Sequence, residues 1–155
     1  MAGIYGGTPQ HRFQSLFSPE FSVELTFNKA LALIAHSLPA ISIRGIHQWH
    51  KKGSRELHDA LTHFATPKRT LYIVMDMEKE TRKQINVRRE TLKLSEELEK
   101  LGCKIRIPIW EHPLGKGVDG ALHQGDTTQA WFDELIETAP TLKDYKRPSN
   151  SNGTI

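Results

Sequence analysis

Leu71-Tyr72-Ile73-Val74-Met75 (LYIVM), followed at once by Asp76-Met77-Glu78, is the stretch on which the fold turns. Five consecutive apolar residues bounded by charge read as a strand covered on both faces, because a strand with one wet face would alternate apolar and polar. Such a strand belongs in the middle of a sheet, and the flanking sequence supplies the rest of one. Upstream, a short apolar run from Phe21 to Leu25 precedes a helical stretch, Asn28 to Ser37, with Ala30, Leu31, Leu33, Ile34 and Leu38 near helical spacing, closed by Pro39. Ala40 to Arg44 (AISIR) is a β-branched run stopped by Gly45, and a polar helix is expected from Ser54 to Phe64, ended by Thr66-Pro67. Downstream, Val87, Leu94, Leu98 and Leu101 share one face of a helix that Gly102 stops. Cys103 to Ile109 (CKIRIPI) returns as a strand, and Trp131 to Thr138 forms a last short helix capped near Thr127 or Thr128. Strands alternating with helices, joined by connections long enough for crossovers, predict an α/β fold in three layers. Its core is a mostly parallel sheet of about four strands flanked by helices.

The chain has 155 residues, 21 Lys+Arg against 18 Asp+Glu, and a pI near 9.0. This is enough for one globular domain, expected over 21–146, and the small positive excess is a mild pointer to an anionic partner. Residues 1–20, with Gly3, Gly6, Gly7, Pro9 and Pro19, read as an irregular N-terminal arm, and 147–155 (RPSNSNGTI) as a disordered tail. The single cysteine, Cys103, excludes an intrachain disulfide and a Cys-rich zinc site, and its place at a helix-to-strand junction suits a small packed hydrophobe. No stretch approaches the roughly 18 apolar residues of a membrane span, and the N-terminus has no signal-peptide pattern, so a cytoplasmic location and no membrane contact are expected.

Open α/β sheets bind ligands outside the carboxyl ends of their strands. Glu24 falls near the end of the first strand, Asp76 and Glu78 follow the third, and Trp110, Glu111 and the loop Leu114-Gly-Lys-Gly-Val-Asp-Gly120 follow the fourth. Carboxylates converging at one sheet edge suit Mg²⁺ or Mn²⁺, a hard cation that takes one or two carboxylates plus water and phosphate oxygens, although surface loops are rich in acids for bland reasons too.

An acidic residue closing the first strand, Lys29-Ala30 in the following helix, Asp76-Met77-Glu78 after the apolar strand, Asn86-Val87, Gly102, Trp110 and Lys116-Gly117-Val118-Asp119 occur in an order that resembles the toprim domain of topoisomerases and primases. The closer likeness is to a primase-associated toprim-like family of unknown function from plasmid and phage replication proteins, and it spans Phe21 to Phe132. The resemblance implies Glu24 as general acid/base, Asp76 and Glu78 as Mg²⁺ ligands, Lys116 on a phosphate, and Asp119 supporting the metal or its waters. The activity it implies is phosphodiester cleavage or nucleotidyl transfer, with the cation stabilising charge on the phosphoryl group. Three positions depart from the pattern: Leu25 stands where the family has its Glu, Glu78 replaces an Asp, and Gly120 replaces another. They open a second reading, a noncatalytic toprim-like module that binds DNA or a replication or defence protein. A third is a small-nucleotide binder at the same edge.

Arg44, Lys51, Lys52, Arg82, Lys83, Arg88 and Lys116 are the candidate nucleic-acid contacts, because a shared basic face beside Asp76 would track a phosphate backbone. For Arg88 and Arg89 a solvated helix face partnered by Glu90, Glu96, Glu97 and Glu99 is an equal alternative. His47, His50, His58 and His63 lack a completing Cys or carboxylate at a known zinc spacing. Trp49 and Trp110 are candidates for base stacking or for rim packing.

Overall fold

The computed structural model describes residues 20–24, 27–111, 114–123 and 129–147, with side chains from Asn28 onward within those ranges. The arm expected over 1–20, apart from Glu20, the tail beyond Arg147 and the cap at Thr127 or Thr128 lie outside the described residues. The fold is mixed α/β. In chain order it runs β1 (Glu20–Glu24), α1 (Phe27–Ala35), β2 (Ala40–Ser42), α2 (Asp59–Phe64), β3 (Thr70–Val74), α3 (Thr81–Lys100), β4 (Lys104–Arg106), α4 (Val118–His123), α5 (Gln129–Glu137) and α6 (Leu142–Lys146). The strands form one sheet in the order β2-β1-β3-β4, every neighbouring pair parallel. Glu24 is in register with Ser42 on one side and Val74 on the other.

The apolar run around β3 sorts to two faces as its pleat requires. Leu71, Ile73 and Met75 enter a cluster with Leu61 from α2, Leu94 and Leu98 from α3 and Leu142 from α6. Tyr72 and Val74 enter a second cluster with Leu33 from α1, Val118 and Ala121 from α4, and Phe132 and Leu135 from α5. Helices therefore cover both faces of the sheet, which is why this strand carries no alternation.

Several boundaries differ from the sequence reading for local reasons. The helix expected from Ser54 begins at Asp59, because the preceding segment closes on itself: Lys51 N–H donates to the Glu56 carbonyl at 2.8 Å, His50 and Leu57 form an antiparallel bridge, and the His58 ring caps the helix at Ala60 N–H. The strand expected over Cys103–Ile109 is confined to Lys104–Arg106; beyond it Ile107 N–H donates to the Pro140 carbonyl and Pro108 has no N–H to give. The run Ala40–Arg44 is a strand only to Ser42, and Gly45 turns the chain at φ +93°. Two short helices, α4 and α6, were not expected from the sequence.

Trp49 is 2% exposed and its indole N–H donates to Glu90 Oε2 at 3.3 Å, pinning the β2–α2 loop to α3. Glu90 is itself buried, and Lys93 Nζ at 2.8 Å, His47 Nδ1 at 3.5 Å and Arg89 Nε at 3.6 Å are its further partners. Burial opposes its ionisation most strongly, yet the hydrogen bonds from Lys93 and Trp49 and the charges of Lys93 and His47 together hold its carboxyl below the ordinary value of 4.5. A depressed folded-state value contributes stability that is complete above the unfolded value and fades as pH falls through the folded one. Glu90→Gln is therefore expected to cost about 1–2 kcal/mol at pH 7. The deficit should shrink below pH 4.5, and urea unfolding at pH 7 and pH 3.5 checks both parts.

Candidate functional site

The sheet order places the crevice between β1 and β3, where the chain's crossovers leave in opposite directions, and ligands of such sheets bind at that switch point. Glu24 ends β1 there, with its backbone level with Val74, two residues before Asp76. Its side chain lies outside the described residues.

Asp76 follows β3 and is held from two directions. Lys29, in the first turn of α1 and only 8% exposed, pairs with Asp76 Oδ1 across 47 residues of sequence. Lys116, on the loop before α4, places Nζ 3.6 Å from Asp76 Oδ2 and 2.9 Å from Glu78 Oε1, so one ammonium bridges both carboxylates. The hydrogen bond to Glu78, opposed by burial and reinforced by the charges of Glu78 and Asp76, raises Lys116 above the ordinary lysine value. The two segments are also tied backbone to backbone, Met77 N–H donating to the Lys116 carbonyl at 2.7 Å.

The glycines around Lys116 explain how the loop comes this close. Gly115 has φ +131°, and a Cβ there would lie 2.6 Å from Ala121 N and 2.8 Å from the Gly120 carbonyl carbon, both backbone atoms. A Cβ on Gly117 would lie 2.5 Å from Lys29 Cε and 2.5 Å from Asp119 Oδ1. Gly117 thus marks the point where Lys29, Lys116 and Asp119 converge. Trp110 fixes the other flank of the loop, its indole N–H donating to the Gly115 carbonyl at 2.8 Å.

Asp76, Glu78 and Lys116 are therefore brought together, whereas Asp119 is placed only beside Gly117, and the expected three-carboxylate set Asp76, Glu78 and Asp119 is not gathered among the described residues. Lys29 was missed as a member, although Lys29-Ala30 belongs to the quoted pattern; a lysine on the buried side of an amphipathic helix is the signal that finds it. The other basic candidates are dispersed. Lys51 pairs with Asp59 at 2.8 Å, Lys83 pairs with Glu80 at 2.9 Å, and Arg44, Lys52 and Arg82 are exposed. Arg88 donates to the Tyr145 carbonyl and stacks 4.5 Å over the Tyr145 ring. The histidines are spent separately: His47 on Glu90, His50 on the Lys51 carbonyl, His58 as a helix cap and His63 edge-on to Phe64. Cys103 is buried, and burial raises its thiol against the lowering pull of Arg69, which leaves it an unreactive packed group.

Among the described residues no three His, Cys, Asp or Glu side chains are gathered so as to hold a metal ion. The donor chemistry still fits a hard divalent cation bound by two carboxylates, with water and phosphate oxygens completing the shell, since a single cation already spans Asp76 and Glu78. No helix among the described residues is long and apolar enough to cross a membrane.

The family model described as "Domain of unknown function (DUF3854)" matches residues 21–128, well over half of the chain and inclusive of all of β1 after Glu20, of Asp76, Glu78 and the Lys116 loop. The chain belongs to that family. Comparison with curated proteins and with solved structures found no match.

Proposed function

We propose that the chain is a toprim-like protein of mobile-element DNA processing that acts on phosphodiesters, by cleavage or nucleotidyl transfer, with Mg²⁺ or Mn²⁺ at Asp76 and Glu78. The observation that carries this reading is the Asp76–Lys116–Glu78 bridge at the switch point: two carboxylates held by one half-exposed, removable cation. The bound ion would neutralise charge on the phosphoryl oxygens. The chain's own residues do the rest. Lys29 holds Asp76 in place from the buried side, and Lys116, once displaced from the carboxylates, is free to meet a phosphate within reach of them. Asp119 supports the metal or its waters, and Glu24, at the end of β1, is assigned the role of general acid/base. Arg44, Lys52 and Arg82 supply exposed positive charge for a nucleic-acid backbone.

The noncatalytic module, binding DNA or a replication or defence protein, is favoured by one specific observation: two lysines already neutralise the acids. Incubation of the purified chain with labelled single- and double-stranded oligonucleotides, with Mn²⁺ or with chelator, separates the two readings. Cleavage or transfer that requires the cation and is lost in Asp76→Asn supports the enzyme. A salt-sensitive gel shift indifferent to chelator, with no turnover, supports the module.

A further inference from the structure

A cleft of about 350 Å³ opens beside the carboxylate pair, between the ends of β3 and β4, α3 and α6. Asp76 and Glu78 form one end, Arg88 and Tyr145 line another part, and Met77, Val87, Pro108, Ile109 and Trp110 supply apolar wall. Its volume lies at the small end of the ~300–1,000 Å³ usual for small-molecule sites, which suits one flat heterocycle with its sugar and excludes a duplex.

Three features make this more than a gap in the packing. The Trp110 indole, 7% exposed and packed in the second core cluster, is fixed by its bond to the Gly115 carbonyl, so the loop that presents Lys116 is held rigidly beside the cleft. Ile109 on the rim is 50% exposed, a large apolar side chain kept in water at the mouth. Beside this apolar body Arg88 keeps N–H groups beyond the one it gives to the Tyr145 carbonyl, and these are donors for the edge of a ring. A planar ring laid against the apolar wall, with a carbonyl or ring nitrogen at its edge toward Arg88, matches that combination.

We infer that this cleft receives a nucleobase, that of the nucleotide whose phosphate meets Lys116. The inference rests on the proposed phosphate role of Lys116 and adds a base subsite to it. Its ligand is one nucleotide unit, either free or at the end of a strand.

The test is equilibrium titration, followed by calorimetry and tryptophan fluorescence, with adenosine 5′-monophosphate, ribose 5-phosphate, inorganic phosphate and a pentanucleotide. The nucleotide is expected to bind about tenfold or more tightly than ribose 5-phosphate, the increment that burying a base against an apolar wall supplies. Ile109→Asp should erase that increment and leave ribose 5-phosphate unchanged. Ile34→Asp, at an equally exposed site on α1 away from the cleft, should behave as wild type. If folding of Ile109→Asp is impaired by its thermal melt, Ile109→Ser serves in its place. Tight binding of the pentanucleotide alone, weakened by the Ile109 change, identifies a strand end as the source, and tight binding of the mononucleotide identifies a free nucleotide. Equal affinity for nucleotide and ribose 5-phosphate overturns the base subsite and leaves the phosphate site standing. Failure of every phosphate-bearing ligand overturns both.

Discussion

Asp76→Asn is expected to abolish saturable Mn²⁺ binding, lowering affinity at least a hundredfold, because the amide removes one of only two carboxylates that Lys116 now bridges. Magnesium-type sites depend on oxygen donors with formal charge, and a carboxamide oxygen of the same shape supplies the geometry without the charge. The substitution also leaves Lys29, whose side chain is 10% exposed, without its counter-ion, so part of any loss could come from a loosened α1. Glu78→Gln separates these effects. It keeps the Lys29–Asp76 pair and removes only the nearer partner of Lys116, at 2.9 Å against 3.6 Å for Asp76, and it should weaken Mn²⁺ about tenfold with an unchanged melting temperature. Calorimetric titration of both variants beside thermal unfolding reads the two quantities independently. Undiminished binding in Asp76→Asn would remove this pair from any metal chemistry.

The two glycines of the Lys116 loop should fail in different ways. Gly115→Ala meets backbone atoms that cannot swing aside and adds a side chain at a left-handed φ, so a loss of about 3 kcal/mol is expected. Gly117→Ala meets instead the Lys29 and Asp119 side chains, which can rotate away. Its stability should change by less than about 1 kcal/mol. The cost appears in the site, where the Lys29 stem and the Asp119 carboxylate must shift beside Asp76. Denaturant unfolding of the two variants, with Mn²⁺ titration of Gly117→Ala, distinguishes a loop needed for folding from a glycine needed for approach.

These contrasts also show where the sequence was readable. The α/β class and the central strand followed from Leu71–Met75, because burial on both faces leaves a mark in the sequence that no tertiary information is needed to read. Asp76 and Glu78 were legible for a related reason: polar residues directly after a buried strand must emerge at its carboxyl end. The end of α3 was equally plain, since Gly102 adopts φ +84° with Pro67 close by.

What escaped depends on partners distant in sequence. Lys29 reads as an ordinary helix residue until α1 is docked on the sheet and its ammonium meets Asp76. Glu90 reads as one acid among several on a charged helix, and only Trp49, 41 residues earlier, reveals its burial. Helix α4 contains Gly120 in six residues and has little intrinsic helicity; its existence rests on Val118 and Ala121 being packed beneath the sheet. Helix α6 did leave a local signal, since Thr141 caps it by accepting from Asp144 N–H while Asp144 answers with its carboxylate. The strand after Cys103 was overextended because apolar content persists through Ile109, whereas pairing stops when Ile107 turns to Pro140.

The most direct test of the cation-exchange site is a paired calorimetric titration with Mn²⁺, wild type against Lys116→Gln, at low ionic strength. If Lys116 holds the carboxylates in place of a divalent ion, removing its competing charge should tighten Mn²⁺ about tenfold, roughly 1.4 kcal/mol. A variant that binds Mn²⁺ no more tightly than wild type, or a pair that binds none, would contradict it and leave the lysine-neutralised binding module as the better account.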